Sequence, residues 1–398
     1  MTTTSEQPVG RARLARGRER TLVPGALWLY AGVIDAVEGE PGPGDLVDVC
    51  TSSGRFVGRG LFNPHSKIRV RLLTGRAEPI GEEFWAARIA EAAAFRRRVV
   101  ADTTAYRLIH GESDLLPGLI VDRYENTLVM QTLSFGMDRR QDLLADILMK
   151  ETSATAVYLR NDAHARTLEG LPEGQGFLRG GGPTLIDIQE GPARFTVDIE
   201  HGQKTGWFCD QRENRLAVAS LADGATVLEA FCHTGAFGIH AALRGAASVF
   251  GLDVSGEAVA RARAHAERSS VAARCEHRQA DAFDELPRLE RKGSRFDLVI
   301  LDPPSFARTK QSVPQALAGY KQINLRALKL VKPRGFLATC SCSHHVGEEE
   351  FWQMVQDAAR DAKRPLRLIE RRSQARDHPV LAAMPETRYL KCVIVQVL

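Results

Sequence analysis

The sequence lacks any segment that would enter or cross a membrane. No run of about 18 apolar residues occurs in the 398 residues, so no transmembrane helix is expected. The opening stretch Met1–Gln7 is polar and has no apolar core, which argues against a secretory signal. From these two absences we expect a cytoplasmic protein.

Cysteine is scarce, and internal repetition is absent. The seven cysteines are scattered without the spacing of a disulfide framework, so we expect free thiols in a reducing compartment. No repeat of solenoid length recurs, which excludes a stacked-repeat architecture. Apolar residues make up 44% and charged residues 26%, as in globular proteins, and the length predicts two or three domains.

Positive charge exceeds negative charge only slightly, but it is unevenly distributed. The formal net charge is +4, which is compatible with a polyanionic partner without requiring one. Five arginines fall between Arg11 and Arg20, and further clusters occur at Arg96–Arg98 and Arg371–Arg372. Such runs supply the cations that phosphate contacts need, although a solvated surface explains each run as well.

The pattern along the chain predicts three modules. Between Thr21 and Thr74, short β-like runs are broken by glycine and proline, which is typical of a small β-barrel. A helix at Glu82–Val100 opens a small α+β unit. From about Arg194, apolar strands alternate with helices, which predicts an α/β domain with a mostly parallel, doubly wound sheet. The predicted domains are residues 1–76, 77–190 and 191–398.

The last module contains five predicted strands with helices between them. The strands are Thr226–Phe231, Ser248–Asp253, Phe296–Asp302, Gly335–Cys340 and Tyr389–Val397. The helices are Ala236–Arg244, Gly256–Arg268, Gln315–Val331 and Glu348–Ala362. Ligands of such sheets bind at the carboxyl ends of the strands, so functional residues are expected there.

The first of these strands leads through small residues into a helix. Gly235 and Gly238 would let the backbone approach a ligand closely. Cys232 and Thr234 interrupt the G-x-G-x-x-G spacing that a pyrophosphate cradle needs. Carboxylates at successive strand ends suit a ribose diol, an adenine amino group and a sulfonium or ammonium group, which favours S-adenosyl-L-methionine over a dinucleotide. These carboxylates are Glu229, Asp253, Asp281 and Asp302.

Asp302 begins a turn that suits a planar substrate. Pro303 and Pro304 fix the backbone and lack N–H donors, so carbonyl groups are left to face a base. Enzymes that methylate amino nitrogens use a similar turn in which an aromatic residue stacks on the base. Here Ser305 follows the prolines and Phe306 comes next, so the turn is compatible with methylation at nitrogen or at carbon.

Cys342 favours methylation at carbon over methylation at nitrogen. Carbon 5 of cytosine is a poor nucleophile, and a thiolate that adds at carbon 6 makes it enamine-like, while an acid such as Asp302 stabilises the adduct at nitrogen 3. Strand alternation puts Cys340 on the same side, but Cys342 lies nearer the carboxyl end of the strand. We therefore predict Cys342 as the nucleophile and Cys340 as a packed thiol.

Two other interpretations of this segment stay open. Both cysteines could be buried small apolar residues, which is the commonest fate of cysteine. Cys340, Cys342, His344 and His345 could also be metal ligands, but their spacing is too compressed for a usual tetrahedral zinc site. We expect no metal, and we expect the two histidines to face the substrate or to cap the next helix.

Seven motifs follow one another along nearly the whole chain. They are Gly58–Arg71, Gly111–Leu119, Lys204–Arg215, Glu229–Gly238, Asp302–Phe306, Ser341–Ser343 and Asp377–Val380. In kind and order they resemble the class I ribosomal-RNA large-subunit cytosine-5 methyltransferases with an N-terminal PUA domain. The resemblance implies a PUA barrel, a central α+β domain and a Rossmann-like methyltransferase domain, often as a homodimer.

The same resemblance implies S-adenosyl-L-methionine as the cofactor and a cytosine in large-subunit ribosomal RNA as the substrate. The RNA would be held mainly through its shape and phosphates, with the target base flipped. Relatives that modify guanine lack the cysteine that stands here as Cys342. Unlike other RNA cytosine-5 enzymes, this chain has no cysteine after Asp302-Pro303-Pro304, so one thiol would serve both attack and release.

The predicted site residues form three groups, some assigned from strand position and some only by the resemblance. The catalytic residues are Cys342 and Asp302. The cofactor-binding residues are Phe208, Asp210, Gln211, Glu229, Phe231, Thr234, Gly235, Asp253, Asp281 and Asp302. The substrate-binding residues are Pro303, Pro304, Phe306, His344 and His378. Two alternatives are an RNA methyltransferase acting on a base nitrogen, and an RNA-binding assembly factor with an inactive fold.

Overall fold

The computed structural model describes residues 6–21, 23–307 and 309–398. Residues 1–5 of the predicted first domain therefore lie outside the described part. The chain divides into two compact units. The first comprises Met1–Ile188, Thr196–Cys209 and Arg376–Thr387, and the second comprises Gln189–Phe195, Asp210–Ala375 and Arg388–Leu398. Two segments of the predicted third domain, Thr196–Cys209 and Arg376–Thr387, thus belong to the first unit.

A six-stranded sheet opens the first unit and confirms the predicted fold of the N-terminal module. Its strands are β1 (Gly10–Leu14), β2 (Trp28–Tyr30), β3 (Ile34–Gly39), β4 (Leu46–Cys50), β5 (Phe56–Phe62) and β6 (Ile68–Thr74), in the order β2-β6-β5-β4-β1-β3. A β-carbon at Gly60 would lie 2.4 Å from the Arg71 carbonyl oxygen, so glycine is needed where β5 meets β6. Alternate apolar residues of these strands close a small core.

The rest of the first unit is an α+β arrangement around a five-stranded sheet. Its strands are β7 (Ala105–His110), β8 (Leu119–Tyr124), β9 (Thr127–Thr132), β10 (Ala156–Asn161) and β11 (Gly174–Arg179), in the order β11-β10-β9-β8-β7. The helices are α1 (Glu82–Val99), α2 (Phe135–Asp138), α3 (Gln141–Thr152) and α4 (Ala165–Glu169). Helix α1 buries Trp85 and Ile89 in the core beside this sheet. A hairpin of β12 (Leu185–Glu190) and β13 (Ala193–Asp198) follows in the chain, and its residues Gln189–Phe195 belong to the second unit.

The second unit is built on a seven-stranded sheet, as the predicted Rossmann-like fold requires. Its strands are β14 (Thr226–Ala230), β15 (Ser248–Asp253), β16 (Cys275–Gln279), β17 (Phe296–Leu301), β18 (Val331–Ser341), β19 (Leu366–Arg372) and β20 (Lys391–Val397). The order is β16-β15-β14-β17-β18-β20-β19, and β20 runs antiparallel to both of its neighbours. The helices are α5 (Arg212–Ala219), α6 (Ala236–Leu243), α7 (Gly256–Arg268), α8 (Ala282–Arg291), α9 (Val313–Leu330) and α10 (Glu348–Ala362).

The central strands of this sheet are covered on both faces. Leu298, Val299, Ile300 and Leu301 of β17 are all fully buried, as expected of a parallel strand between two helical layers. The edge strand β19 is largely exposed, and its sequence mixes arginine with leucine. The core therefore lies around β14, β17 and β18, and the strand ends at this centre carry the predicted site.

Candidate active site

Three carboxylates converge at the carboxyl ends of neighbouring parallel strands in the second unit. Glu229 lies in β14, Asp253 ends β15 and Asp302 follows β17, and β14 pairs with both of the other strands. Glu229 is 2% exposed, and burial raises the pKa of its carboxyl group to about 8. The charges of Asp302 and Asp253 raise this pKa as well. The repulsion makes this edge of the sheet a favourable place for a cationic ligand.

Backbone and amide groups hold each of these carboxylates in place. Glu229 Oε2 accepts the Gly238 N–H at the start of α6 at 2.9 Å. Asp253 accepts the N–H groups of His233 at 2.8 Å and of Ser255 at 2.9 Å. The sequence placed Glu229 against a ligand, whereas the structure also makes it the acceptor that orients the first turn of α6.

Gln211 reaches Asp302 directly. Its Nε2 donates to Asp302 Oδ1 at 2.9 Å, and its Oε1 accepts from Asn214 Nδ2 at 2.7 Å, which fixes the orientation of the amide. The neighbouring Asp210 is buried, accepts the Tyr389 hydroxyl at 2.6 Å and orders the segment before α5. Two predicted cofactor residues therefore come from the start of the second unit and contact groups at the strand ends.

The turn between β14 and α6 has an unusual backbone. Phe231 and His233 have φ values of 61° and 47°, in the left-handed region that residues with side chains seldom adopt. Thr234 is buried, and its carbonyl oxygen lies 3.1 Å from His265 Nδ1. Backbone strain of this kind persists only where the surroundings hold it, and it is concentrated at ligand sites.

Gly235 and Gly238 are required by close approach. A β-carbon at Gly235 would lie 2.8 Å from His277 Nε2, and Gly235 itself has a φ of 78°. A β-carbon at Gly238 would lie 2.5 Å from Glu229 Oε2. The sequence predicted that these glycines let the backbone approach a ligand. The structure shows that they also let it pack against the side chains of His277 and Glu229.

A row of aromatic rings lies beside the carboxylates. Phe283 is half-buried, and its ring centre is 6.3 Å from that of Phe231 and 5.9 Å from that of Phe306. Phe306 in turn stacks on Tyr320 at 4.5 Å. Asp281 is exposed and caps α8, where it accepts the Phe283 N–H at 2.8 Å. The row offers an apolar wall for a planar ring, and Phe283 was not among the predicted residues although it follows Asp281 closely.

Phe208 and His378 belong to the first unit, unlike the other predicted site residues. The Lys204 ammonium lies over the Phe208 ring, 4.5 Å from its centre. His378 is buried, and its Nδ1 is 3.2 Å from Asp377 Oδ1. Burial, and then the nearby His378, lower the pKa of His110 well below its usual value of 6.5, so this neighbour of His378 is neutral.

Cys342 follows the last residue of β18 and is half-buried, between two buried serines. Ser343 Oγ lies 2.9 Å from the hydroxyl groups of both Ser305 and Tyr320, and it accepts the Ala307 N–H at 3.3 Å. Ser305 belongs to the turn that Asp302 begins, in which Pro303 is buried and Pro304 is exposed. The segment with the thiol and the segment with the carboxylate are thus joined by hydroxyl hydrogen bonds.

Cys340 differs from Cys342 in its surroundings. It is fully buried and lies opposite Cys392 in the pairing of β18 with β20. The contact with Cys392, and then burial, raise the pKa of the Cys340 thiol well above its usual value of 9.0. A thiol in this state is a weak nucleophile, which suits the predicted packing role.

Several residues near Cys342 were not predicted. Lys391 is buried at the start of β20, and its Nζ donates to the Ser343 carbonyl oxygen at 2.6 Å. The Tyr320 hydroxyl is hydrogen-bonded to the hydroxyl of Ser343, the residue after Cys342. A lysine at the head of a largely apolar strand is a signal that could have been noticed, because lysine is seldom buried without a partner. His344 is exposed and stacks on Tyr389 with ring centres 5.1 Å apart.

Within the described ranges, no three side chains of His, Cys, Asp or Glu gather as ligands for a metal ion. The arginine clusters are less uniform than the sequence suggested. Arg16, Arg18 and Arg20 are exposed, but Arg96 is only 1% exposed and pairs with Asp114. Neither a phosphate contact nor a solvated surface fits Arg96, because its guanidinium is committed inside the fold.

Comparison with known proteins agrees with this geometry. Residues 12–75 match the PUA-like domain family, and residues 170–392 match the family described as S-adenosylmethionine-dependent methyltransferase. The chain is 41% identical over 393 residues, covering 97% of it and 99% of the relative, to ribosomal RNA large subunit methyltransferase I of Shewanella denitrificans. It is 41% identical over 392 residues, with the same two coverages, to the protein of that name from Shewanella amazonensis.

A structure described as a SAM-dependent methyltransferase from Streptococcus mutans has the same fold. Its TM-score is 0.82 at 20% identity, over 97% of this chain and 100% of the other. Sheet order, strand-end carboxylates and N-terminal barrel together define a Rossmann-like methyltransferase with a PUA-like domain. The chain belongs to the S-adenosylmethionine-dependent methyltransferase family that includes the proteins named ribosomal RNA large subunit methyltransferase I.

S-adenosyl-L-methionine is the cofactor of this family, and the residues of the second unit fit it. Asp302 and Asp253 supply negative charge at these strand ends that suits a sulfonium and an ammonium group, and their charges add to the effect of burial in raising the pKa of Glu229. Phe283 and Asp281 offer a flat face and an acceptor for an adenine. In the described part of the chain, no helix is long and apolar enough to span a bilayer.

Proposed function

We propose that this chain transfers a methyl group from S-adenosyl-L-methionine to carbon 5 of a cytosine in large-subunit ribosomal RNA, through a covalent bond to Cys342. The observation that carries the proposal is the half-buried Cys342, whose chain neighbour Ser343 is hydrogen-bonded to Ser305 in the turn that starts at Asp302. The name of the Shewanella relatives supports ribosomal RNA as the substrate.

In the proposed reaction, the Cys342 thiolate forms a bond to carbon 6 of the cytosine. Asp302 supplies a proton at ring nitrogen 3, so the electrons displaced from the ring make carbon 5 nucleophilic. The cofactor, when bound, supplies the methyl group that carbon 5 takes. A base then removes the proton from carbon 5, and the proton on nitrogen 3 returns to the Asp302 carboxylate. These two losses restore the ring double bonds, break the sulfur–carbon bond and release the thiolate.

Methylation of RNA by Cys342 variants tests this proposal. Purified enzyme, large-subunit RNA and labelled cofactor should yield 5-methylcytosine, which nucleoside mass spectrometry identifies. Cys342→Ala should abolish the product while cofactor binding persists, whereas Cys275→Ala, at the other half-buried cysteine, should leave both unchanged. A Cys342→Ala enzyme with full activity would exclude the covalent mechanism.

Methylation of a base nitrogen, of guanine or of an exocyclic amine, is the second candidate. It is favoured by Phe306, whose half-buried ring lies beside the two prolines and stacks on Tyr320. The same mass spectrometry separates the two, because a nitrogen-methylated nucleoside formed without dependence on Cys342 would select this alternative. RNA binding without turnover would instead support an assembly factor.

The RNA surface, the dimer and the domain boundaries also stay proposals. The exposed Arg16, Arg18 and Arg20 beside the PUA-like sheet suit phosphate contact, and their loss should flatten the salt dependence of RNA binding. A homodimer would be detected by sedimentation, and boundaries at residues 76 and 190 by limited proteolysis. Ribosomal RNA as substrate also accords with the expected cytoplasmic location.

A further inference from the structure

Lys391 is placed next to the Cys342 segment by the register of the sheet. Strand β20 begins at Lys391, which lies directly opposite Ser341 in β18, and Cys342 is the next residue. Lys391 is 6% exposed although lysine is almost never buried without partners. We therefore expect polar or charged partners of Lys391 close to its buried amino group.

Two hydrogen bonds fix the position of the Lys391 side-chain nitrogen and leave one of its bonding positions unused. Nζ donates to the carbonyl oxygens of Ser343 at 2.6 Å and of Tyr389 at 2.9 Å. These bonds use two protons, and the nitrogen then carries either a third N–H or, when neutral, a lone pair. The charge of Cys342 has the largest effect of any side chain on the pKa of Lys391, and it raises that pKa.

The protonation of this lysine is easily changed. Burial lowers the pKa of Lys391 to about 8, which is near that of an ordinary thiol. Other charged groups around the pair are Glu348 and Glu350 of α10 and Arg388, and Tyr320 of α9 faces the thiol. Amine and ammonium forms are therefore close in free energy when a thiol proton is to be moved.

We propose that Lys391 accepts the proton of the Cys342 thiol and then, as an ammonium, holds the thiolate ready for attack. The S–H bond breaks, an N–H bond forms, and the pair keeps its net charge, so no other reactant is needed. When the thiolate is released from the product it meets the same ammonium. Lys391 acts through Cys342 and is thus a positioning residue; its assignment rests on the function proposed above.

The test measures Cys342 alone, without RNA. The rate of alkylation by iodoacetamide is followed across neutral pH in the full-length protein, with each cysteine peptide quantified by mass spectrometry. Lys391→Met should slow alkylation of Cys342 at pH 7 about tenfold, since each unit of thiol pKa changes the thiolate fraction tenfold. Cys275 is the internal reference, because burial raises its thiol pKa to about 12 independently of Lys391.

Two further variants separate charge from packing. Lys321→Met on α9 removes a half-exposed lysine that pairs with Asp361, and it should leave the Cys342 profile unchanged. Lys391→Arg keeps a cation and should alkylate faster than Lys391→Met. Equal slowing in both Lys391 variants, or an unchanged profile in Lys391→Met, would overturn the proposal.

A measurement on the unaltered protein guards against a variant that fails to fold. The wild-type Cys342 profile should have its midpoint below the usual thiol range, and a midpoint above about 9 would refute the role of Lys391. Failure of this inference is distinct from failure of the proposed function. If the protein makes 5-methylcytosine but the alkylation profile of Lys391→Met is unchanged, only the inference about Lys391 fails. If Cys342→Ala is active, the covalent mechanism fails, and a slower alkylation of Lys391→Met would then show only that the lysine lowers the pKa of the thiol.

Discussion

Each unit contains a cluster of buried and half-buried charged groups, and the two clusters differ in their balance of charge. In the first unit, Arg107 contacts both oxygens of Asp122, at 2.6 and 2.8 Å, and its backbone N–H donates to Asp377 at 2.9 Å. Arg96 donates to the Asp377 carbonyl oxygen at 2.9 Å. We call these four residues the arginine cluster.

The carboxylate cluster of the second unit, Glu229, Asp253 and Asp302, contains only acidic groups, and the charges of Asp302 and Asp253 raise the pKa of Glu229. A buried charge with an opposite partner is suited to holding segments of a fold together. Buried like charges cost free energy and are expected where a ligand of opposite charge compensates them. We therefore expect the arginine cluster to stabilise the fold and the carboxylate cluster to bind a ligand.

The largest expected effect comes from breaking the arginine cluster. Arg107→Met leaves Asp122, which is fully buried, without its bidentate partner, and it should lower the free energy of unfolding by about 4 kcal/mol. Urea denaturation followed by circular dichroism measures this loss. Arg179→Met, which removes exposed pairs with Asp142 and Asp146, should cost under about 1 kcal/mol. Equal losses would contradict the assignment of Arg107 to stability.

A somewhat smaller effect, with a pH dependence, is expected in the carboxylate cluster. The Glu229 pKa is raised from 4.5 in an exposed carboxyl to about 8 in the fold. The folded state therefore binds more protons between these values, and stability is lost as the pH rises from 4.5 to 8. Between pH 5 and 8 the loss is roughly 3 kcal/mol for the wild type.

Glu229→Gln removes the titration and keeps an acceptor for the Gly238 N–H. Its melting temperature should change less than that of the wild type over the same pH range, as differential scanning calorimetry would record. Parallel curves for the two proteins would mean that the pKa of Glu229 is not raised in the fold.

A third change tests how closely the first turn of α6 packs against Glu229. Gly238→Ala places a methyl group 2.5 Å from Glu229 Oε2 and 2.6 Å from Val249 Cγ1, so overpacking should cost about 2 kcal/mol. Cofactor affinity should fall as well, as isothermal calorimetry would measure. Gly181→Ala, where a β-carbon meets no atom within 4 Å, is the matched control and should change neither quantity.

The smallest effect is expected at Asp281, which is exposed and lies outside the buried cluster. Asp281→Ala removes the cap of α8 and should cost about 1 kcal/mol in thermal unfolding, whereas Asp281→Asn keeps a capping oxygen. If Asp281 also binds the adenine amino group, both variants should weaken cofactor binding. Unchanged binding in Asp281→Asn would leave capping as its role.

The strongly periodic parts of the fold were predictable from the sequence. Helices Gly256–Arg268 and Glu348–Ala362 and strand Ser248–Asp253 have the predicted bounds. Strand β19 was missed, because Leu366–Arg372 is a charged edge strand without regular alternation. Helix α8 was missed as well, since it is short and contains Pro287, which usually ends a helix.

The candidate site divides in the same way. Asp302 and Cys342 could be predicted because each directly follows an apolar strand, where ligands of such sheets bind. Lys391 at the head of its strand was a detectable signal, but the closeness of Lys391 and Tyr320 to the Cys342 segment could not be predicted. It arises from pairing and packing between segments far apart in sequence. Glu229 also accepts the Gly238 N–H, and this contact depends on how α6 packs against β14, which the sequence does not reveal.

The pairing of Ser341 with Lys391 makes the reactivity of a thiol depend on strand alignment. A slip of β20 by one residue would turn Lys391 to the opposite face and bring an apolar neighbour to its place. What prevents the slip is the fully buried Ile394 and Val395, well away from the reacting atoms. Substitutions that weaken the packing of these two residues in the core would therefore change the reactivity of the Cys342 thiol. A screen that measures activity alone would assign such substitutions to the active site.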